Sequence, residues 1–153
     1  MASTAARNPY LDAFRKLAIA RGVALAGLAS GRRSDFLVIT AAATLVFACG
    51  RDYTESEVNA LLLDWLAVPG AMLASDHVEL RRVLVDCRLL RRDAYGRRYG
   101  RGAVPNAWQA PIAALAGIDL AAEANAARTA DAQRRSQRKA QWERRMNATT
   151  AGQ

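Results

Sequence analysis

Between positions 53 and 101 the signals for helix, break, helix and turn follow one another in an order that restricts the fold more than any other stretch of the chain. Thr54 and Glu57 stand three residues apart at the head of an apolar-periodic run. That is the spacing of a capping box, and it predicts a helix over 54–66. Val58, Leu61, Leu62 and Trp65 make its apolar stripe, and Tyr53 is placed to staple onto Val58 or to open a short strand. Pro69 and Gly70 then force a break. A second helix is predicted from Ser75. At about 100° per residue, Leu80, Val83, Leu84, Cys87 and Leu90 fall on one face of it. Arg81 and Arg88 share a flank, neither with a carboxylate at helical spacing, and Arg82 lies nearer the opposite side between Glu79 and Asp86. Two short alternating arms follow, joined through Tyr95 and Gly96, and glycine supplies the positive φ of a tight hairpin turn. The order predicts a winged helix-turn-helix: a mainly α fold with a small β-hairpin, and with extra N- and C-terminal helices.

The flanks are read from the same kinds of signal. Residues 1–33 are expected to form an N-terminal helical extension, with Asn8 as cap, Pro9 in the first turn and Gly31 as the stop. Its apolar side, from Tyr10 and Phe14 to Leu25, is expected to pack on the domain or to pair two copies. The winged-helix domain itself is placed at 34–101. It opens with a helix capped by Ser34 or Asp35 whose run FLVITAAATLVFAC is apolar almost all round and ends at Gly50. Such a helix is buried in a core, and at this length it cannot span a bilayer, which takes about 20 residues. Pro105 and Pro111 mark 102–118 as a linker carrying a small apolar patch of Ile112, Leu115 and Ile118. Asp119 caps a basic helix over 119–147, and 148–153 is expected to be a disordered tail.

The formal net charge of +8 comes almost wholly from arginine. Arginine stays charged and presents a planar fork that suits phosphates, so the charge points to polyanions. The contacts are expected from His77, Arg81, Arg82, Arg88, Arg92, Arg97, Arg98 and Arg101, with weaker phosphate contacts from Arg134, Arg135, Arg138 and Lys139 in the tail. Duplex DNA is the first expectation for the partner, read by the helix from Ser75 in the major groove and by the hairpin along the backbone. The alternatives are RNA, including a ribosome-associated role, and a protein-interaction module on the same scaffold. The N-terminal helix is expected to make a homodimer, and a cytoplasmic or nucleoid-associated location fits. With His77 as the sole histidine and only Cys49 and Cys87, both expected inside apolar helical patterns, no metal site and no catalytic constellation is expected. No cofactor is expected either. Glycines at 96–102 sit at a hairpin rather than after a strand, so a phosphate loop is discounted.

The pieces YTESEVNALL and LRRVLVDCRLLRRDAYGRRY together resemble the domain of unknown function 2087 family of prokaryotes. The resemblance implies a compact winged-helix domain, of a kind found in some predicted transcriptional regulators. It also implies glycine where Arg88 stands, as a left-handed helix end before the strand. Arginine has a steric cost in that conformation, so a different helix end is expected here. The loop LAVPGAMLAS is long for a tight helix-turn-helix, which leaves the angle between the two helices open.

Overall fold

The computed structural model describes residues 6–152. What was expected of positions 1–5 and of Gln153 lies outside them. Seven helices and one hairpin follow in the order α1 (Pro9–Ala18), α2 (Leu25–Gly31), α3 (Arg33–Thr44), α4 (Glu55–Ala67), α5 (His77–Asp86), β1 (Leu90–Arg92), β2 (Tyr99–Arg101), α6 (Asn106–Leu115) and α7 (Leu120–Ala151). The protein is thus mainly helical with a small antiparallel hairpin, as the sequence predicts.

Helix α3 is the centre. From Phe36 to Thr44 it is buried on nearly every side, packed among α1, α2 and α6. A polar residue inside such a helix needs a partner, and Thr40 has two. Its hydroxyl donates to the Phe36 carbonyl at 2.7 Å and accepts from the Trp108 indole N–H of α6 at 2.8 Å. The N-cap differs from expectation: the helix starts at Arg33 after Arg32, with no side-chain cap from Ser34 or Asp35.

The elements differ from the expected division at three places, and at the first of them tertiary burial overrides local punctuation. Positions 102–118 are no linker: they carry α6, whose Trp108, Pro111, Ile112 and Leu115 are buried. Pro105 sits just outside the helix, where its missing N–H is harmless, and Pro111 is carried inside it at the loss of one backbone hydrogen bond. The 1–33 extension is two helices, because Gly22 takes a φ of +64° and turns the chain. The turn is pinned by Val23, which pairs across to the long loop after α4: Val23 N–H donates to Met72 O at 2.9 Å and Ala74 N–H to Val23 O at 2.8 Å. At the other end α7 runs on through 148–151 to Ala151, where a disordered tail was expected.

The apolar face of α1 lies inside its own chain, with Phe14 and Leu17 buried against α3, α6 and α7. The surface expected to pair two copies is therefore already covered. Arg128 of α7 closes this corner. Its Nε donates to Ala18 O at 3.0 Å and its Nη1 to Val68 O at 2.7 Å, so one guanidinium satisfies the carboxyl-terminal ends of both α1 and α4. Burial holds its acidity above that of a free guanidinium, lowering its pKa.

Candidate nucleic-acid interface

The α4–α5 pair and the hairpin carry the arginines of interest. α4 begins with the expected capping box: the Glu57 N–H donates to Thr54 Oγ1 at 3.2 Å and the Thr54 N–H to Glu57 Oε1 at 3.2 Å. These contacts hold the Glu57 carboxyl below its ordinary range. α5 starts at His77, two residues later than expected. Asp76 rather than Ser75 is its N-cap, accepting from the Glu79 N–H at 2.8 Å. Its stripe is shorter than the periodicity suggests, with Leu80 and Leu84 buried while Val83 and Cys87 are half-buried. Partial burial pushes the Cys87 thiol up, away from the reactive thiolate, and Cys49 is exposed rather than packed in the apolar run.

The end of α5 corrects an expectation. Arg88 does take the left-handed conformation, with φ at +62°. The Leu89 N–H donates to Leu84 O at 3.0 Å and the Arg88 N–H to Val85 O at 3.0 Å, the paired bonds of a Schellman motif. Leu84 and Leu89, both buried, add its apolar contact. Gly102 lies over this turn, and a Cβ there would stand 2.4 Å from the Arg88 carbonyl oxygen.

β1 and β2 pair Leu90 with Arg101, Arg91 with Gly100 and Arg92 with Tyr99. Tyr53 bridges to the other edge of β2, exchanging two backbone hydrogen bonds of 2.8 Å with Tyr99, so the hairpin is tied to the start of α4. The turn uses Gly96 at a φ of +67°, and Asp93 holds it by accepting from the Arg97 N–H at 2.8 Å. That backbone donor is the main reason the Asp93 carboxyl sits below its usual range.

The arginines divide into two sets. Arg81 is not on a free surface: its Nη1 donates to Asn59 Oδ1 at 2.6 Å and to Glu55 Oε1 at 3.0 Å, its guanidinium lies 5.8 Å from the Tyr99 ring centre, and its side chain is only 17% exposed. It fastens α5 to α4 and to β2. Arg101 turns inward, with Nη1 donating to Phe47 O at 3.5 Å. Arg91 pairs with Asp52 at 3.3 Å, and Arg98 reaches the same carboxylate at 3.8 Å. Arg82, Arg88, Arg92 and Arg97 are exposed, and among the described residues none of them makes an ion pair. The i+4 pairing open to Arg82 and Asp86 does not form.

Geometry gathers three of these four. Arg82 and Arg92 line a depression of about 200 Å³ with Val78, Val85 and Asp86, and Arg88 and Arg92 line a second of about 500 Å³. Val85 and Arg92 border both. A continuous edge therefore runs from the outer side of α5 over the helix end to β1, and Arg97 stands beyond it at the hairpin turn. His77 is half-buried at the first position of α5, away from those depressions' lining. In the tail, Arg134 and Arg135 pair with Asp131 at 3.7 and 3.0 Å, whereas Arg138 and Lys139 are exposed and make no ion pair among the described residues. Glu55, Asn59 and Asp52 are the residues that sequence reasoning missed. The i, i+4 spacing of Glu55 and Asn59 on α4 was the available signal, with nothing to say that Arg81 faces it.

Among the described residues no group of three or more His, Cys, Asp or Glu side chains could hold a metal ion. Among them, too, no helix is long and apolar enough to cross a membrane. No curated protein and no solved structure matches the chain. Residues 25–101, half of the chain and the whole of the segment from α2 through the hairpin, match the family described as an uncharacterized protein conserved in bacteria: the chain belongs to the domain of unknown function 2087 family.

Proposed function

We propose that this is a non-enzymatic nucleic-acid-binding protein that grips duplex DNA with the outer edge of α5 and the hairpin, as a transcriptional regulator of the bacterial cytoplasm. The order of α3, the Tyr53 bridge, α4, α5 and the hairpin is the one expected of a winged helix, which supports this use of the surface. The observation that carries the reading is the contrast among neighbouring arginines. Arg81 and Arg101 are engaged within the fold and Arg91 pairs with Asp52 at the surface, while Arg82, Arg88 and Arg92 border one edge, beside Asp86 and Asp93, and among the described residues make no ion pair. An unpaired cation cluster of this kind releases counterions when it meets phosphates. Glu79 and Asp86 on the exposed side of α5 repel phosphates, so the grip is expected from the edge toward the helix end and β1 rather than from the middle of that helix.

The test is a salt titration of binding to duplex DNA. Replacing Arg82, Arg88 and Arg92 together with Ala is expected to reduce affinity at low salt by about tenfold or more. It should also flatten the slope of log K against log salt by roughly 3, at about 0.9 per phosphate contact. Absence of affinity at low salt, or an unchanged slope in the triple variant, overturns the proposal.

A further inference from the structure

Beyond Arg134 and Arg135, which still border the grooves beside α1, the second half of α7 stands away from the described body. From Ala132 onward all of the described side chains are exposed except Ala140, which is half-exposed, over a length of about 30 Å at 1.5 Å per residue. Its residues are not scattered evenly. At about 100° per residue, Arg135, Arg138, Lys139, Trp142, Arg145 and Met146 fall on one side. Gln133, Gln137, Arg144, Asn147 and Glu143, the only acid in that half, take the other. The basic side continues the face that Leu120 and Ala124 bury against the body. Trp142 is 62% exposed and Met146 48%, although Trp is the side chain with the most to gain from burial.

We infer that this arm binds single-stranded nucleic acid, with Trp142 stacking on an unpaired base and Arg138, Lys139 and Arg145 on the flanking phosphates. Charge selects an anionic partner: these three cations make no ion pair among the described residues, and a second copy of a chain with net charge +8 is repelled. A membrane surface needs a broad apolar face, and here it is confined to one Trp and one Met between cations. Within a duplex the bases are already stacked on one another, whereas a single strand offers each base's π-face to an aromatic ring. The inference stands apart from the duplex reading, since the arm and the α5 edge share no residue.

The structure supplies its own reporter. Trp65 and Trp108 are buried, so quenching of tryptophan fluorescence by an added oligonucleotide reads Trp142. The full chain is titrated at low salt with a 15-residue oligo-dT, a 15-residue oligo-rU and a DNA hairpin duplex. Saturable quenching is expected with the single strands, and the better of the two decides between DNA and RNA as the source. Read by the anisotropy of fluorescein-labelled oligonucleotides, since the variants lack the tryptophan reporter, Trp142→Ala is expected to weaken single-strand binding about tenfold or more and to leave duplex binding within about twofold. Trp142→Phe retains most of the single-strand affinity, and circular dichroism of both variants checks that α7 persists. The triple Ala variant of Arg82, Arg88 and Arg92 should do the reverse, so failure of one surface is distinguishable from failure of the other. Single-strand affinity unmoved by Trp142→Ala, equal quenching by the duplex, or displacement of the oligonucleotide by phosphatidylglycerol vesicles with a blue shift of emission overturns the inference.

Discussion

The two halves of α7 share one helix and one face, yet only the first is covered. In the first half that face meets α1 through Leu120 and Ala124, and Arg128 reaches past it to the carbonyls of Ala18 and Val68. In the second half the same face carries Arg138, Trp142 and Arg145 into solvent. Arg81 and Arg82 repeat the contrast within one turn of α5: the first is held by Glu55 and Asn59, the second is free. Residue type does not separate Arg128 from Arg138, or Arg81 from Arg82. What separates them is whether unpaired backbone or side-chain oxygens lie within reach, since a guanidinium loses its hydration only where such acceptors replace it.

The contrast can be broken by removing the engaged arginines and sharpened by removing the free ones. The largest effect is expected from Arg128→Ala, which leaves the ends of two helices without their donor. Denaturant unfolding should show a loss of about 2–4 kcal/mol, from two acceptors at about 1–3 kcal/mol each with some rehydration. Next comes Trp108→Phe, which keeps most of the ring but removes the donor to Thr40 Oγ1 in the buried α3–α6 contact. The same measurement should register about 1–3 kcal/mol. Arg81→Ala is expected to cost about 1–2 kcal/mol, less because Glu55 is half in water, and to leave the salt slope of DNA binding unchanged if Arg81 contacts no phosphate. Deleting 132–153 should change stability by no more than about 0.5 kcal/mol, because that segment touches little of the body. If deletion destabilises by several kcal/mol, the arm is part of the fold and the contrast fails.

The smallest effect is a pH dependence in the hairpin. Asp93 has its folded pKa lowered, chiefly by the Arg97 N–H, so its stabilising contribution is present above the ordinary aspartate value, about 3.9, and is lost as pH falls through the lower folded value. An NMR titration should place its midpoint below that of a free aspartate. Asp93→Asn, which keeps an acceptor oxygen, should remove this acid sensitivity while retaining the turn.

Much of the fold was legible because its signals are local. Asn8 with Pro9, the Thr54–Glu57 box, Asp119 and Gly96 each act within a few residues of themselves, and each stands where the sequence put it. α6 was not legible, because two prolines speak for a break and only the packing of Trp108 on Thr40, 68 positions away, overrules them. The site was legible as a region but not residue by residue. Arg81 looked unpaired because its partners, Glu55 and Asn59, lie 26 and 22 positions back, and helical spacing within α5 holds no trace of them. Asp52 pairs with Arg91 and Arg98 in the same non-local way. The arm's Trp142 was visible as a large apolar residue, but its exposure follows only from knowing where the body ends.

The left-handed turn at Arg88 has one more consequence. A residue with a Cβ is held there against its preference, so Arg88→Gly should raise the unfolding free energy by about 0.5–1 kcal/mol while taking a guanidinium off the edge shared with Arg82 and Arg92. Folding and grip would then move in opposite directions on a single substitution. The helix end is thus a place where this chain is less stable than its own backbone allows, and where the charge it carries is the thing gained in exchange.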